Sequence, residues 1–137
     1  MAVIALDSNV FLYALLDQPP WSKQAQALLR SIESGAHTAF FSAITYGEVL
    51  GERPTESLLV AHDFLDGMGN TVCVEVSRSI GKRAGSLRTA FPVLRLTDAL
   101  HLATAIEYGA DMFITNDRPL AKVAKKLIPT EVLADRN

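Results

Sequence analysis

Short unbroken apolar runs alternate with longer segments whose apolar positions recur every three or four residues. Residues 2–6, Ala-Val-Ile-Ala-Leu, form the first run and fit a strand buried on both faces. It stops at Asp7-Ser8-Asn9 and gives way to a turn of chain, residues 10–16, that is apolar on all sides. Gln18-Pro19-Pro20 breaks the chain. A helix follows over about 21–34, with Trp21, Ala25, Leu28, Leu29 and Ile32 on one stripe, and Gly35 closes it. Residues 37–41 read as a second strand, and Ser42 is placed to cap a helix holding residues 44–50. Pro54 opens another helix to about Met68, whose apolar positions cover more than one stripe. After a turn at 67–70, residues 71–76 read as a strand, and Ser77 caps the basic helix that follows.

The chain is organised around residues 96–117. Thr97 is a good N-cap residue, and Asp98 then falls in the first helical turn. From Ala99 to Ile106 nearly every position is apolar or small, so this helix is covered on most sides. Gly109 is placed to end it in a left-handed cap, leading to a short strand, Met112-Phe113-Ile114, that stops at Thr115-Asn116-Asp117. Pro119 fits an early position of a last helix ending near Leu127, and residues 131–133 add an edge strand. This alternation predicts one α/β domain spanning 1–137, with a largely parallel central sheet and helices on both faces.

Composition agrees with a folded domain and removes several function classes. The chain has 137 residues, of which 49% are hydrophobic and 20% charged, so it buries a core rather than staying disordered. No apolar run approaches the roughly 20 residues that span a bilayer, and no basic region precedes the apolar start, so neither a membrane partner nor a cleaved signal is expected. The single cysteine, Cys73, reads as a small buried hydrophobe inside a strand. Together these point to the cytoplasm. The net charge of −2 suggests no polyanion partner, but its distribution does. Between Ser77 and Thr97 lie Arg78, Lys82, Arg83, Arg88 and Arg95 with no acid, and Arg118, Lys122, Lys125 and Lys126 follow Asp117. These groups fit either solvated helix faces or a phosphate-binding rim.

The acids carry the candidate chemistry. Asp7 and Asp117 each follow the carboxyl end of an apolar strand, where ligands gather in open parallel sheets. Asp98 and Glu48 lie on helices of the same alternation. Taken singly, Asp7 fits a helix N-cap and Glu48 an exposed helical glutamate. Brought together, such carboxylates repel, and a hard divalent cation removes the conflict; oxygen-only ligands suit Mg²⁺ or Mn²⁺. His101, three residues after Asp98 on a similar face, fits a packed, hydrogen-bonded histidine.

Asp7-Ser8-Asn9, the Ile44–Leu50 segment around Glu48, Asp98-Ala99-Leu100-His101 and Thr115-Asn116-Asp117 resemble, in order and spacing, the motifs of PIN-domain ribonucleases. The likeness spans nearly the whole chain, and its length and layout look most like the VapC toxins of prokaryotic toxin–antitoxin pairs. One departure is Arg118-Pro119-Leu120, where many relatives place an acid and a phenylalanine. The resemblance implies a PIN-like fold with metal-binding, catalytic acids at Asp7, Glu48, Asp98 and Asp117, supported by Ser8, Asn9 and Thr115. It also implies a Mg²⁺- or Mn²⁺-dependent endoribonuclease, the toxin of a type II toxin–antitoxin system, with an RNA substrate, a cognate antitoxin and a homodimeric state. Arg83, Arg88, Arg118 and Lys122 are the candidate phosphate contacts. The competing readings are a non-catalytic Mg²⁺-binding receiver-type module and a PIN-like binding module without activity.

Overall fold

The computed structural model describes all residues except 18, 52 and 137; the expected break at Gln18 therefore lies partly outside the described residues. Five strands form one sheet: β1 (Val3–Leu6), β2 (Thr38–Ser42), β3 (Thr71–Val74), β4 (Met112–Thr115) and β5 (Thr130–Val132). Their order is β3-β2-β1-β4-β5, and every neighbouring pair is parallel. Seven helices accompany them: α1 (Ser8–Leu16), α2 (Ser22–Glu33), α3 (Ile44–Leu50), α4 (Leu58–Asp66), α5 (Arg78–Ala90), α6 (Leu96–Glu107) and α7 (Arg118–Ala124). Among the described residues, no helix is long and apolar enough to cross a membrane.

The apolar strand runs follow from burial on both faces. Successive side chains of a strand point to opposite sides of the sheet. Ile4 and Leu6 of β1, Ala39 and Phe41 of β2 and Ile114 of β4 enter one core with Val10, Phe11, Leu28 and Ile32. Their neighbours Ala5, Phe40 and Phe113 enter a second core with Ile80, Leu102, Leu120 and Val123. Phe11 and Phe113 are fully buried, each worth about 1.5–3 kcal/mol relative to exposure. One core lies beneath α1 and α2, the other beneath α5, α6 and α7.

Several boundaries shift from the expected ones for local reasons. Residues 55–57 form a separate 3₁₀ turn, so α4 starts at Leu58 and ends at Asp66 rather than Met68. β3 stops at Val74, two residues early. It is an edge strand with Val72 62% exposed, and Cys73 is exposed too, not buried as its sequence context suggests. Ser42 closes β2 and Ala43 takes the N-cap of α3, although Ser42 Oγ still accepts from Ile44 N at 3.3 Å. Gly35 and Gly109 do end their helices with positive φ, 93° and 65°.

The order of strands fixes where a ligand can sit. The chain lays β1, β2 and β3 outward in one direction, then returns through α5 and α6 to place β4 on the opposite side of β1. The switch of direction falls between β1 and β4, at their carboxyl ends. Asp7 follows β1 there, and Asp117 follows β4 two residues beyond it.

Candidate active site

Asp7 is the most buried of the acids, at 5% exposure. Its backbone N–H donates to Ile114 O at 3.0 Å, which continues the β1–β4 ladder by one rung and carries the residue into the sheet edge. Its side chain caps α1, accepting from Ser8 N at 2.7 Å. Thr115 Oγ1 donates to the other carboxylate oxygen at 2.6 Å, joined by Asn9 Nδ2 at 3.3 Å. Thr115, itself fully buried, also accepts from Asp117 N at 3.0 Å, and Asn9 Oδ1 accepts from Asn116 N at 3.2 Å. Ser8, Asn9 and Thr115 thus all bind Asp7, and the last two tie the β1 and β4 exits together.

The four acids form two pairs, each balanced by a cation of the chain itself. Asp7 and Glu48 share His101: its Nε2 lies 2.5 Å from Glu48 Oε1 and 3.5 Å from Asp7 Oδ1. The imidazole is 3% exposed, and Nδ1 finds no hydrogen-bond partner among the described residues. Asp98 and Asp117 share Arg95, whose guanidinium lies 3.2 Å from the first and 3.7 Å from the second. Asp117 Oδ1 also caps α7 through Leu120 N at 3.0 Å. Arg95, not Thr97, is the N-cap of α6, because Asp98 at the third helical position reaches back to Arg95 N at 3.3 Å.

Electrostatics couple the two pairs. Burial pushes the Asp7 carboxyl above its ordinary range, against the opposing pull of His101, Thr115 and Ser8. Burial acts on Glu48 in the same sense, but hydrogen bonding and charge from His101, helped by Ser8 and Arg95, hold its carboxyl below the ordinary value. Burial opposes the charged form of His101, and Glu48, Asp7 and Asp98 overcome it and raise the imidazole pKa. Arg95 reaches Glu48, and Asp98 reaches His101, so one field spans the four acids.

In kind, the donors fit a hard divalent cation: four carboxylates at one sheet edge, with Ser8, Asn9 and Thr115 hydrogen-bonded to the deepest. Among the described residues, no three His, Cys, Asp or Glu side chains are grouped tightly enough to hold an ion as they stand. A cation held by Asp98 and Asp117 would compete with Arg95 for their carboxylates, and Asp7 and Glu48 are the further acids that could hold it.

The basic candidates divide. Arg83 pairs with Glu107 at 3.2 Å, nine residues along α6 from Asp98, or about 14 Å at 1.5 Å per residue. Arg88 donates to Leu94 O at 3.4 Å and braces the turn leading to Arg95. Neither is brought to the acids. Arg118 follows Asp117 directly and pairs with Asp135 at 3.0 Å, and Lys122 lies one turn further along α7. His101 and Arg95 are the residues that sequence undervalued; the only signal for Arg95 was its position three residues before Asp98.

Matched against known families, the sequence agrees with the PIN domain over residues 4–126. The chain belongs to the PIN domain family. No curated protein matches it significantly in sequence. Solved structures do match this PIN domain in fold. A chain of VapBC2 from Rickettsia felis, bound to a DNA fragment from its promoter, aligns with TM-score 0.72 and 18% identity, covering 95% of this chain and 98% of that one. A chain of FitAcB from Neisseria gonorrhoeae gives TM-score 0.70 and 18% identity over 98% and 99% of the two chains. The Mycobacterium tuberculosis VapC20, described as a sarcin-ricin loop cleaving toxin, gives 0.68 and 12% over 82% and 87%. The PIN fold expected from the four motifs is thus the fold observed, with all five strands parallel.

Proposed function

We propose that this PIN domain is a divalent-metal-dependent endoribonuclease, the toxin of a type II toxin–antitoxin pair acting in the cytoplasm. The observation that carries the reading is the gathering of Asp7, Glu48, Asp98 and Asp117 at the switch point, where, among the described residues, their side-chain counter-groups are one buried imidazole, His101, and one exposed guanidinium, Arg95. Backbone N–H groups of Ser8, Arg95 and Leu120 also donate to Asp7, Asp98 and Asp117, but they carry no charge to offset the carboxylates. Here Arg95 is 75% exposed and spans two of them loosely.

Asp7, Asp98 and Asp117 would hold Mg²⁺ or Mn²⁺, which polarises the phosphoryl oxygens and acidifies water when bound. Glu48 is half-buried and kept ionised, so it can accept the proton of the attacking water. His101, donating from Nε2, holds that carboxylate in one orientation. The water oxygen bonds to phosphorus, a P–O ester bond breaks, and the leaving oxygen is protonated from solvent. Thr115 and Ser8 keep Asp7 aimed outward from the sheet edge. Arg118 and Lys122 stand beside Asp117 to meet phosphates.

A cognate antitoxin and a homodimer belong to the same reading. Two of the structural neighbours come from toxin–antitoxin complexes, and α4 leaves Leu59 and Val60 70% and 62% exposed, an apolar surface suited to a second copy. Light scattering at tens of micromolar should give twice the chain mass; a monomer removes the dimer alone. The decisive experiment incubates the protein with total RNA in chelator, in Mg²⁺ and in Mn²⁺. Cleavage only with metal is expected. Metal binding without cleavage would favour a PIN domain that serves as an inactive binding module; the receiver-type alternative is already removed by the family match.

A further inference from the structure

Beside the acids lies a second recess that shares only Arg118 and Lys122 with the site described above. The turn between α5 and α6 and the exposed side of α7 enclose a groove of about 630 Å³, lined by Phe91, Pro92, Val93, Pro119, Lys122 and Lys126 among others. Val93 and Pro119 also line a smaller recess of about 250 Å³ that contains Arg95, Asp98 and Asp117. The two therefore adjoin, and Val93, 68% exposed, stands between them. An apolar side chain left this open at the mouth of an acidic cleft lacks a partner within the fold. We propose that the groove receives the nucleotide adjoining the phosphate that is cleaved, with its base on the Phe91–Pro92–Val93 wall and its phosphate on Lys122 and Lys126.

The chemistry of the lining selects this occupant. The floor is apolar with one aromatic ring, and the rim is cationic. Lys126 Nζ lies 5.6 Å from the Phe91 ring centroid. Among the described residues, neither Lys122 nor Lys126 has a carboxylate within 4.0 Å, whereas Arg118 is engaged by Asp135. An aromatic face beside free ammonium groups is the combination that binds single-stranded nucleic acid: the ring stacks on any base, and the cations take the backbone. An entering base takes the place of the Lys126 ammonium over the ring, which moves to the phosphate. Paired strands do not offer a free base face, so the substrate is single-stranded at this position. The volume lies within the range of small-ligand sites and accommodates a nucleotide.

The proposal rests on the nuclease reading, and the test separates the two. Binding of a fluorescent 12-residue single-stranded RNA is measured by anisotropy in chelator, beside an abasic strand of equal length. Phe91→Leu keeps the apolar packing and removes the ring; Lys122→Ala removes one exposed cation. Thermal melts confirm that both variants fold. Phe91→Leu should weaken RNA binding about tenfold and leave the abasic strand unaffected. Lys122→Ala should weaken both strands and lower the slope of log K against log salt by about 0.7. In Mg²⁺, Phe91→Leu should raise KM with little change in kcat. If the wild type binds and cleaves RNA but both variants match it, the groove serves something else, such as an apolar acidic protein segment, and the nuclease reading stands. Equal loss for both strands in Phe91→Leu likewise overturns base stacking. If the wild type neither binds nor cleaves, both readings fall.

Discussion

Replacing His101 by Leu tests whether the imidazole is a counter-ion or a packed core residue. The substitution keeps a similar apolar volume in a pocket that is 3% exposed. Removing one partner of a buried charge pair costs about 3–5 kcal/mol. Two features of the site pull the cost down. Asp7 retains donors from Ser8, Thr115 and Asn9, and Glu48 is only half-buried and can turn to water. The variant also loses the unpartnered Nδ1, worth roughly 1 kcal/mol or more of relief. The net expectation is a loss of about 2–3 kcal/mol in chelator, or roughly 6–10 °C in Tm for a domain of this size. A double-mutant cycle isolates the cause. Asp7→Asn with His101→Leu removes both charges, so the double variant should be less destabilised than the sum by at least about 1.5 kcal/mol. Urea denaturation at pH 7 in chelator gives all four values. A coupling below about 0.5 kcal/mol, the scatter expected of independent sites, would refute the electrostatic account and return His101 to ordinary packing.

Asp98→Asn should abolish divalent-dependent RNA cleavage while far-UV circular dichroism stays native; cleavage at near wild-type rate removes Asp98 from the proposed ligands. Arg95→Ala should cost no more than about 1 kcal/mol, since the guanidinium is exposed to solvent, yet calorimetric titration should show tighter Mn²⁺ binding because a competing cation is gone. Thr115→Val keeps the shape but leaves Asp7 without its shortest hydrogen bond and Asp117 N without an acceptor; urea denaturation should show a loss of about 1–3 kcal/mol. Saturating Mg²⁺ at 100 times its Kd should stabilise the wild type by about 2.7 kcal/mol, and Asp117→Asn by clearly less, as read from paired thermal melts.

What could be read along the chain was what local chemistry decides. The run into Asp7 announced a buried strand and its cap, and both are present because β1 is flanked on each side and covered on each face. Gly109 announced its left-handed cap in the same way. The misreadings arise where a distant neighbour decides. Cys73 has strand-like neighbours, but nothing local says that β3 is an edge. Thr97 is the better cap by residue type, yet Asp98 reaching back moves the start of α6 to the residue after Arg95. His101 meets Glu48 from 53 positions away and Asp7 from further still, a contact no spacing rule encodes. Arg83 and Arg88 formed one basic segment on paper, and the packing of α5 on α6 turned one to Glu107 and the other to a carbonyl.

The central strand lies first in the chain but gains one of its two neighbours last. β1 is flanked by β2, which follows within about forty residues, and by β4, whose register partners Met112, Phe113 and Ile114 come more than a hundred residues later. Thr115, which holds Asp7, arrives with that same strand. During synthesis the amino-terminal strand must wait, half-paired and apolar, until nearly the whole chain has emerged, since long-range parallel pairing closes late. An unfinished chain cannot arm its carboxylates. If the chain cuts RNA as proposed, a cell making it is thereby shielded from its own nascent copies, and a chain cut short at residue 111 should show neither native circular dichroism nor RNA cleavage.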